Sequence, residues 1–157
     1  MLKEILRLKW SPIGVKLIKF NGVFDDIPPD STKKFRYCQL LMEAKSGKNA
    51  TLTAENIACP AAAVTLGLRP LSGKIHSEKM LKTLGLFGSK EAVAQTMVQM
   101  PRLELGQIKA IAAAPLEDAR FRPDMIIIED KPEKMMWINL AAIHGTVGRL
   151  SFNSAVF

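Results

Sequence analysis

The chain is short of most residues that announce a chemistry. Among its 157 residues are two cysteines, two histidines, two tryptophans and one tyrosine. Two cysteines exclude a disulfide-built scaffold at this length and leave free thiols, metal ligands or a redox pair. No apolar run approaches the ~18 residues that span a bilayer, so no membrane insertion is expected. The first residues, Met1 to Lys9, alternate charged with apolar side chains and offer neither an apolar core nor a small-residue cleavage site. They do not read as a signal peptide, and a cytoplasmic location is expected. The dinucleotide fingerprint, the P-loop, the Gly-x-Ser-x-Gly elbow and the His-Glu-x-x-His zinc motif are all missing from the sequence.

What remains has the composition of an ordinary globular protein, 48% hydrophobic and 24% charged, and predicts one domain over residues 1–157 with a real core. The net charge is +7, and it is unevenly placed. Up to Gln99 there are 15 Lys/Arg against 8 Asp/Glu, whereas from Met100 there are 7 of each. Such an excess suits an anionic partner: nucleic acid, phosphate or an acidic protein. It also serves solubility, and the scattering of the basic residues, as in Lys33-Lys34-Phe35-Arg36 and Lys79-Met80-Leu81-Lys82, with few aromatics to stack bases, favours that reading over nucleic acid. Gly85-Leu86-Phe87-Gly88-Ser89-Lys90 opens a predicted helix and is a weak candidate for holding a phosphate on backbone N–H groups.

Periodicity predicts a short helix over 2–8 and a strand over 12–20 with Ile13, Val15 and Leu17 on one face. After a long loop, a helix over 33–46 is capped by Ser31 or Thr32 and stopped by Gly47. A short strand, Ala50–Ala54, and a compact helix, Pro60–Leu66, closed by Gly67, come next. Helices over about 76–84 and 90–99, the second capped by Ser89, precede strands over 108–113 and Asp124–Glu129. The Met-Ile-Ile-Ile run in the last of these reads as buried. Asp130, with Pro132 and Glu133 behind it, opens a helix bearing Met136, Trp137, Leu140, Ile143 and His144. Residues 148–157 read as a last strand. Strands and helices mix without strict alternation, so the fold class is α+β: a mixed sheet with helices packed against it.

Chemistry concentrates between Tyr37 and Leu68, where both cysteines stand at predicted helix starts. Cys38 lies three residues after Phe35 and four before Met42, on an apolar stripe, which suits a core thiol. Cys59 directly precedes Pro60, a good first helical residue, so it falls at the helix cap. Unpaired N–H groups and the helix dipole favour a thiolate there, and Ala61-Ala62-Ala63 behind it would let a ligand approach; a small packing residue in a tight turn fits the position equally. The 21-residue spacing of Cys38 and Cys59 matches no short metal-ligand pair, and zinc or iron–sulfur centres ordinarily take four ligands. The thiols stay candidate metal ligands, joined if at all by His76 or His144, both of which also have plain readings at helix ends.

This stretch, with Pro12-Ile13-Gly14-Val15-Lys16-Leu17 before it and Pro123-Asp124 and Met135-Met136 after it, resembles the uncharacterised archaeal and bacterial family of domain of unknown function 169 (ArCR-like). The shared marks are Cys38-Gln39, Ala44, Gly47, Cys59-Pro60 and Gly67-Leu68. The family has no assigned activity. The resemblance implies longer members with further cysteines in a C-terminal portion, so this chain is expected to be a short form.

The expectation that follows is a cytoplasmic small-ligand or metal-centre binding module with Cys38, Gln39, Cys59 and Pro60 lining the site and an anionic small molecule as a candidate ligand. Two alternatives stand beside it: a thiol redox enzyme with Cys59 as nucleophile and Cys38 resolving, and a basic binder of nucleic acid or acidic protein. The apolar end, with Leu150, Phe152, Val156 and Phe157, predicts a homo-oligomer joined through that strand.

Overall fold

In the computed structural model the described residues are 2–21, 34–70 and 101–146, with positions 85, 88, 89, 91, 92, 95 and 99 between them. Alternation in β1 (Ile13–Lys19) puts Ile13, Val15 and Leu17 on one side, and these join the main core as the sequence predicts. β1 sits beside the longest strand, β3 (Ile108–Pro115), whose run of alanines lets both faces be packed closely. β2 (Ala50–Thr53) and β4 (Met125–Ile127) complete a four-stranded sheet in the order β2-β3-β1-β4. All three pairings in that sheet are antiparallel. The α+β reading holds; parallel pairing occurs among the described residues as an isolated bridge, Phe35 with Ile57.

One face of the sheet is covered by helices. α1 (Leu2–Ile5) lies at the N-terminus, and α2 (Tyr37–Lys45) packs Leu40 and Ala44, both fully buried, onto the sheet's Val15, Leu52 and Ile111. α3 (Pro60–Thr65) adds Ala63, and Leu68 follows it into the same core. The other face is built from small residues, Gly14, Ala110, Ala112 and Ala114. The segment from Leu116 to Asp124 crosses part of it. Phe121 lies against Ile18, Ala110 and Ala112. A side chain at Gly14 would meet Pro123 at 3.4 Å and Leu116 at 3.5 Å, so the small residue lets this segment lie flat.

Asp124 fastens the end of that segment to β1. Its carboxylate accepts from the Lys16 ammonium and the Leu17 N–H, each at 2.8 Å, and its own N–H donates to the Val15 carbonyl. Burial opposes ionisation, but the Lys16 and Leu17 hydrogen bonds outweigh it and hold the carboxyl below its ordinary 3.8. A depressed carboxylate stabilises the fold above its unfolded value, and that contribution is lost as pH falls through the folded one. With the Asp124 side chain 38% exposed, the pair is worth no more than about 1 kcal/mol. Asp124→Asn is therefore expected to cost about that much near neutrality and to flatten the stability profile below pH ~4. Urea midpoints across that range check it; an unchanged acid slope would count against the clamp.

Three expectations need correction. The Met-Ile-Ile-Ile run is not buried: Met125 and Ile126 are 42% and 52% exposed, because among the described residues α2 packs on β1, β2 and β3 rather than on β4, which contacts β1. The second helix begins at Tyr37, not residue 33, because Phe35 is taken up by the bridge to Ile57. Asp130 does not cap α4 (Pro132–Thr146); its carboxylate accepts the N–H groups of Lys9 and Lys131, and the helix starts from the Lys131 carbonyl. Ser89 does accept the Ala92 N–H, at 3.2 Å, as a cap should. The expected helix over 76–84, His76, the Ser31 and Thr32 caps and the strand over 148–157 lie outside the described residues.

Candidate functional site

The two cysteine-bearing helices start side by side. Phe35 donates its N–H to the Asn56 carbonyl at 3.1 Å, and Ala58 donates to the Phe35 carbonyl at 2.8 Å. Both chains then turn into helix: Arg36 is the cap of α2, and Cys59 is the cap of α3 with Pro60 at its first position. The sequence reading of Cys59-Pro60 is confirmed as local structure. Cys38 falls three residues past the bridge on one strand and Cys59 two past it on the other. Both thiols are free.

The core-thiol reading of Cys38 is wrong: it is exposed, while Cys59 is half-buried. Two apolar stripes compete on α2. The one containing Leu40 and Ala44, flanked by Tyr37 and Leu41, turns to the sheet, which leaves Cys38 and Met42 outward. Gln39 has a structural duty, since its side-chain oxygen accepts the Arg36 N–H at 2.8 Å. That ties down the helix start in the manner of half a capping box; the Arg36 guanidinium, having no acceptor, cannot supply the other half. Pro60 is exposed.

Both helices end alike. After α2, Gly47 at φ +94° donates to Ala44 and Lys48 donates to Glu43. After α3, Gly67 at φ +66° donates to Val64 and Leu68 donates to Ala63. These are paired Schellman stops, which glycine favours because it tolerates the left-handed conformation. Two residues overlooked in the sequence hold the connection between β2 and α3. Asn56, buried, accepts the Thr53 N–H at 2.7 Å and donates to the Thr51 carbonyl at 3.1 Å. Arg69 folds back onto the Ala54 carbonyl through Nε, at 2.8 Å, and through a second guanidinium nitrogen. The Thr-Ala-Glu-Asn turn pattern was the available signal for the first; Arg69 had none.

Exposed charges flank the paired helix starts: Lys34 and Arg36 ahead of α2, and Glu55 ahead of α3. Burial raises the Tyr37 phenol above its ordinary 10, so it stays a hydrogen-bond donor at neutral pH. Among the described residues no group of three or more His, Cys, Asp and Glu side chains is placed to hold a metal, and His144 stands exposed at the far end of α4. No helix among the described residues is long and apolar enough to cross a membrane.

A family model described as uncharacterised ArCR, domain of unknown function 169, matches residues 1–157. An uncharacterised protein of Methanocaldococcus jannaschii is 25% identical over 150 residues, which cover 94% of this chain and 64% of that protein. The chain thus spans a little under two thirds of that relative's length. No solved structure matches.

Proposed function

The chain belongs to the uncharacterised ArCR family, and we propose that it acts there as a cytoplasmic binding module for a small anionic ligand. The site is lined by Cys38, Gln39, Cys59 and Pro60. The observation that supports this reading is the Phe35–Ile57 bridge, which pairs the chain three residues before Cys38 with the chain two residues before Cys59, just ahead of the starts of α2 and α3. The positive end of each helix dipole lies at these starts, with Pro60 contributing no N–H and the Gln39 N–H donating to the Arg36 carbonyl at 3.0 Å. Lys34 and Arg36 add formal charge beside α2. The small side chains of Ala61 and Ala62 leave room next to Cys59. A metal centre would need donors beyond these two thiols, so a small molecule is the favoured occupant.

Alkylation at neutral pH tests the reading. Exposure predicts that Cys38 reacts faster than Cys59, the reverse of what the sequence stripe suggested. With millimolar inorganic phosphate as the probe, alkylation of both thiols should slow together, with one apparent affinity that weakens as sodium chloride is added. Rates indifferent to phosphate would remove the anion site; protection of one thiol alone would separate the two residues.

A further inference from the structure

α4 presents its apolar side to the wrong place. Lys134, Met135, Ile138 and Asn139 form the half-buried flank, with the Lys134 ammonium on Asp130 and on the Arg7 carbonyl. The opposite flank carries Met136, Trp137, Leu140 and Ile143, which are 48%, 56%, 46% and 40% exposed. An isolated helix of this length is marginal in water, and one that is apolar on every side is normally buried. Soluble chains seldom leave a contiguous apolar patch of this kind uncovered.

We infer that this flank is the contact surface of a two-fold homodimer, with α4 of a second copy lying antiparallel across it about Leu140. The residue spacing is self-complementary about that point. Position 140 + n of one helix meets 140 − n of the other, so Trp137 faces Ile143, Met136 faces His144, and Leu140 meets its own copy. A closed two-fold contact requires this kind of matching. The charges agree. From Met135 to Ile143 the helix has no charged residue, so no unpaired ion is desolvated. Glu133 stands at one end and His144 at the other, and the antiparallel arrangement brings the acid of each copy within about a turn of the base of the other. It also sets the helix dipoles head to tail. A membrane surface fits less well, because helices that lie on lipid carry Lys and Arg along the polar flank, and here Lys134 is the last basic residue before His144. The inference is independent of the thiol site, and it places self-association on α4 rather than on residues 148–157.

Sedimentation equilibrium of the full chain and its variants decides the matter. The wild type should run at twice the 17.3 kDa chain mass at micromolar concentration. Leu140→Glu, which would bring two like charges together at the axis, should weaken association at least roughly a hundredfold with the far-UV spectrum unchanged. A second variant covers the case in which that one fails to fold. Leu140→Cys, in a Cys38→Ser/Cys59→Ser background, should oxidise to a disulfide-linked dimer, whereas Glu133→Cys in the same background should not. A wild type that stays monomeric, alone or while binding anionic vesicles, would overturn the inference. So would a dimer that ignores Leu140→Glu and fails to crosslink through position 140.

Discussion

Alanine at Gly67 is expected to be among the most damaging single changes in the chain, at about 3 kcal/mol or more. Two effects add. The residue is held at φ +66°, where a side chain is strained, and an added Cβ would stand 2.5 Å from the Glu104 carbonyl oxygen and 3.0 Å from that of Leu103. Both neighbours are backbone, so neither can rotate away. The close approach is maintained by hydrogen bonds from Leu103 to the Thr65 carbonyl at 2.9 Å and from Gly106 to the Gly67 carbonyl at 3.2 Å. Gly47 is the internal control. It ends α2 with the same handedness at φ +94°, but nothing lies within 4 Å of its missing Cβ. Gly47→Ala should therefore cost only the backbone term, about 1–2 kcal/mol. Urea unfolding of the two variants separates the effects; equal losses would mean that the contact with residues 103 and 104 does not constrain α3.

Leu40→Ala is the second large effect. Leu40 is fully buried at the centre of the face that α2 presents to the sheet. Removing its side chain should cost about 2–5 kcal/mol, partly for lost burial and partly for the cavity left behind. For a chain of this size that lowers the melting temperature by roughly 10 °C. Met42, two residues along the same helix, is 60% exposed, and Met42→Ala should stay within about 0.5 kcal/mol. Comparable losses from both would show that α2 does not dock through the Leu40 stripe and would undercut the outward placement of Cys38.

Much of this fold was legible in the chain because the strongest signals are local. Ile13, Val15 and Leu17 alternate, Pro60 suits a first helical turn, and Gly47 and Gly67 suit helix ends; each did what its own backbone preferences dictate. The errors arose where a tertiary partner decided. Cys38 has an apolar neighbour at each helical interval, yet the competing stripe won because Leu40 and Ala44 meet the sheet. Met125 and Ile126 read as buried because the run is apolar, but burial requires an element packed over the strand, and among the described residues α2 packs on β1, β2 and β3 rather than on β4. Asp130 has the chemistry of a cap, but the Lys9 N–H, 121 residues away in sequence, claims part of its carboxylate. The candidate site divides in the same way. The cap at Cys59 was readable from one dipeptide. The pairing of residue 35 with residue 57, which brings the second cysteine-bearing helix beside the first, has no local signature.

The central claim is that this pairing places Cys38 and Cys59 on one site, and a short bifunctional thiol reagent tests it most directly. Dibromobimane added in equimolar amount to the reduced, folded chain should bridge the two thiols within one molecule. The result would be a single adduct linking the peptides around residues 38 and 59, and the yield should collapse in concentrated urea. The Cys38→Ser and Cys59→Ser variants should give no bridged product. Separate singly attached adducts on the two thiols of the folded chain, with no intramolecular bridge, would contradict the claim.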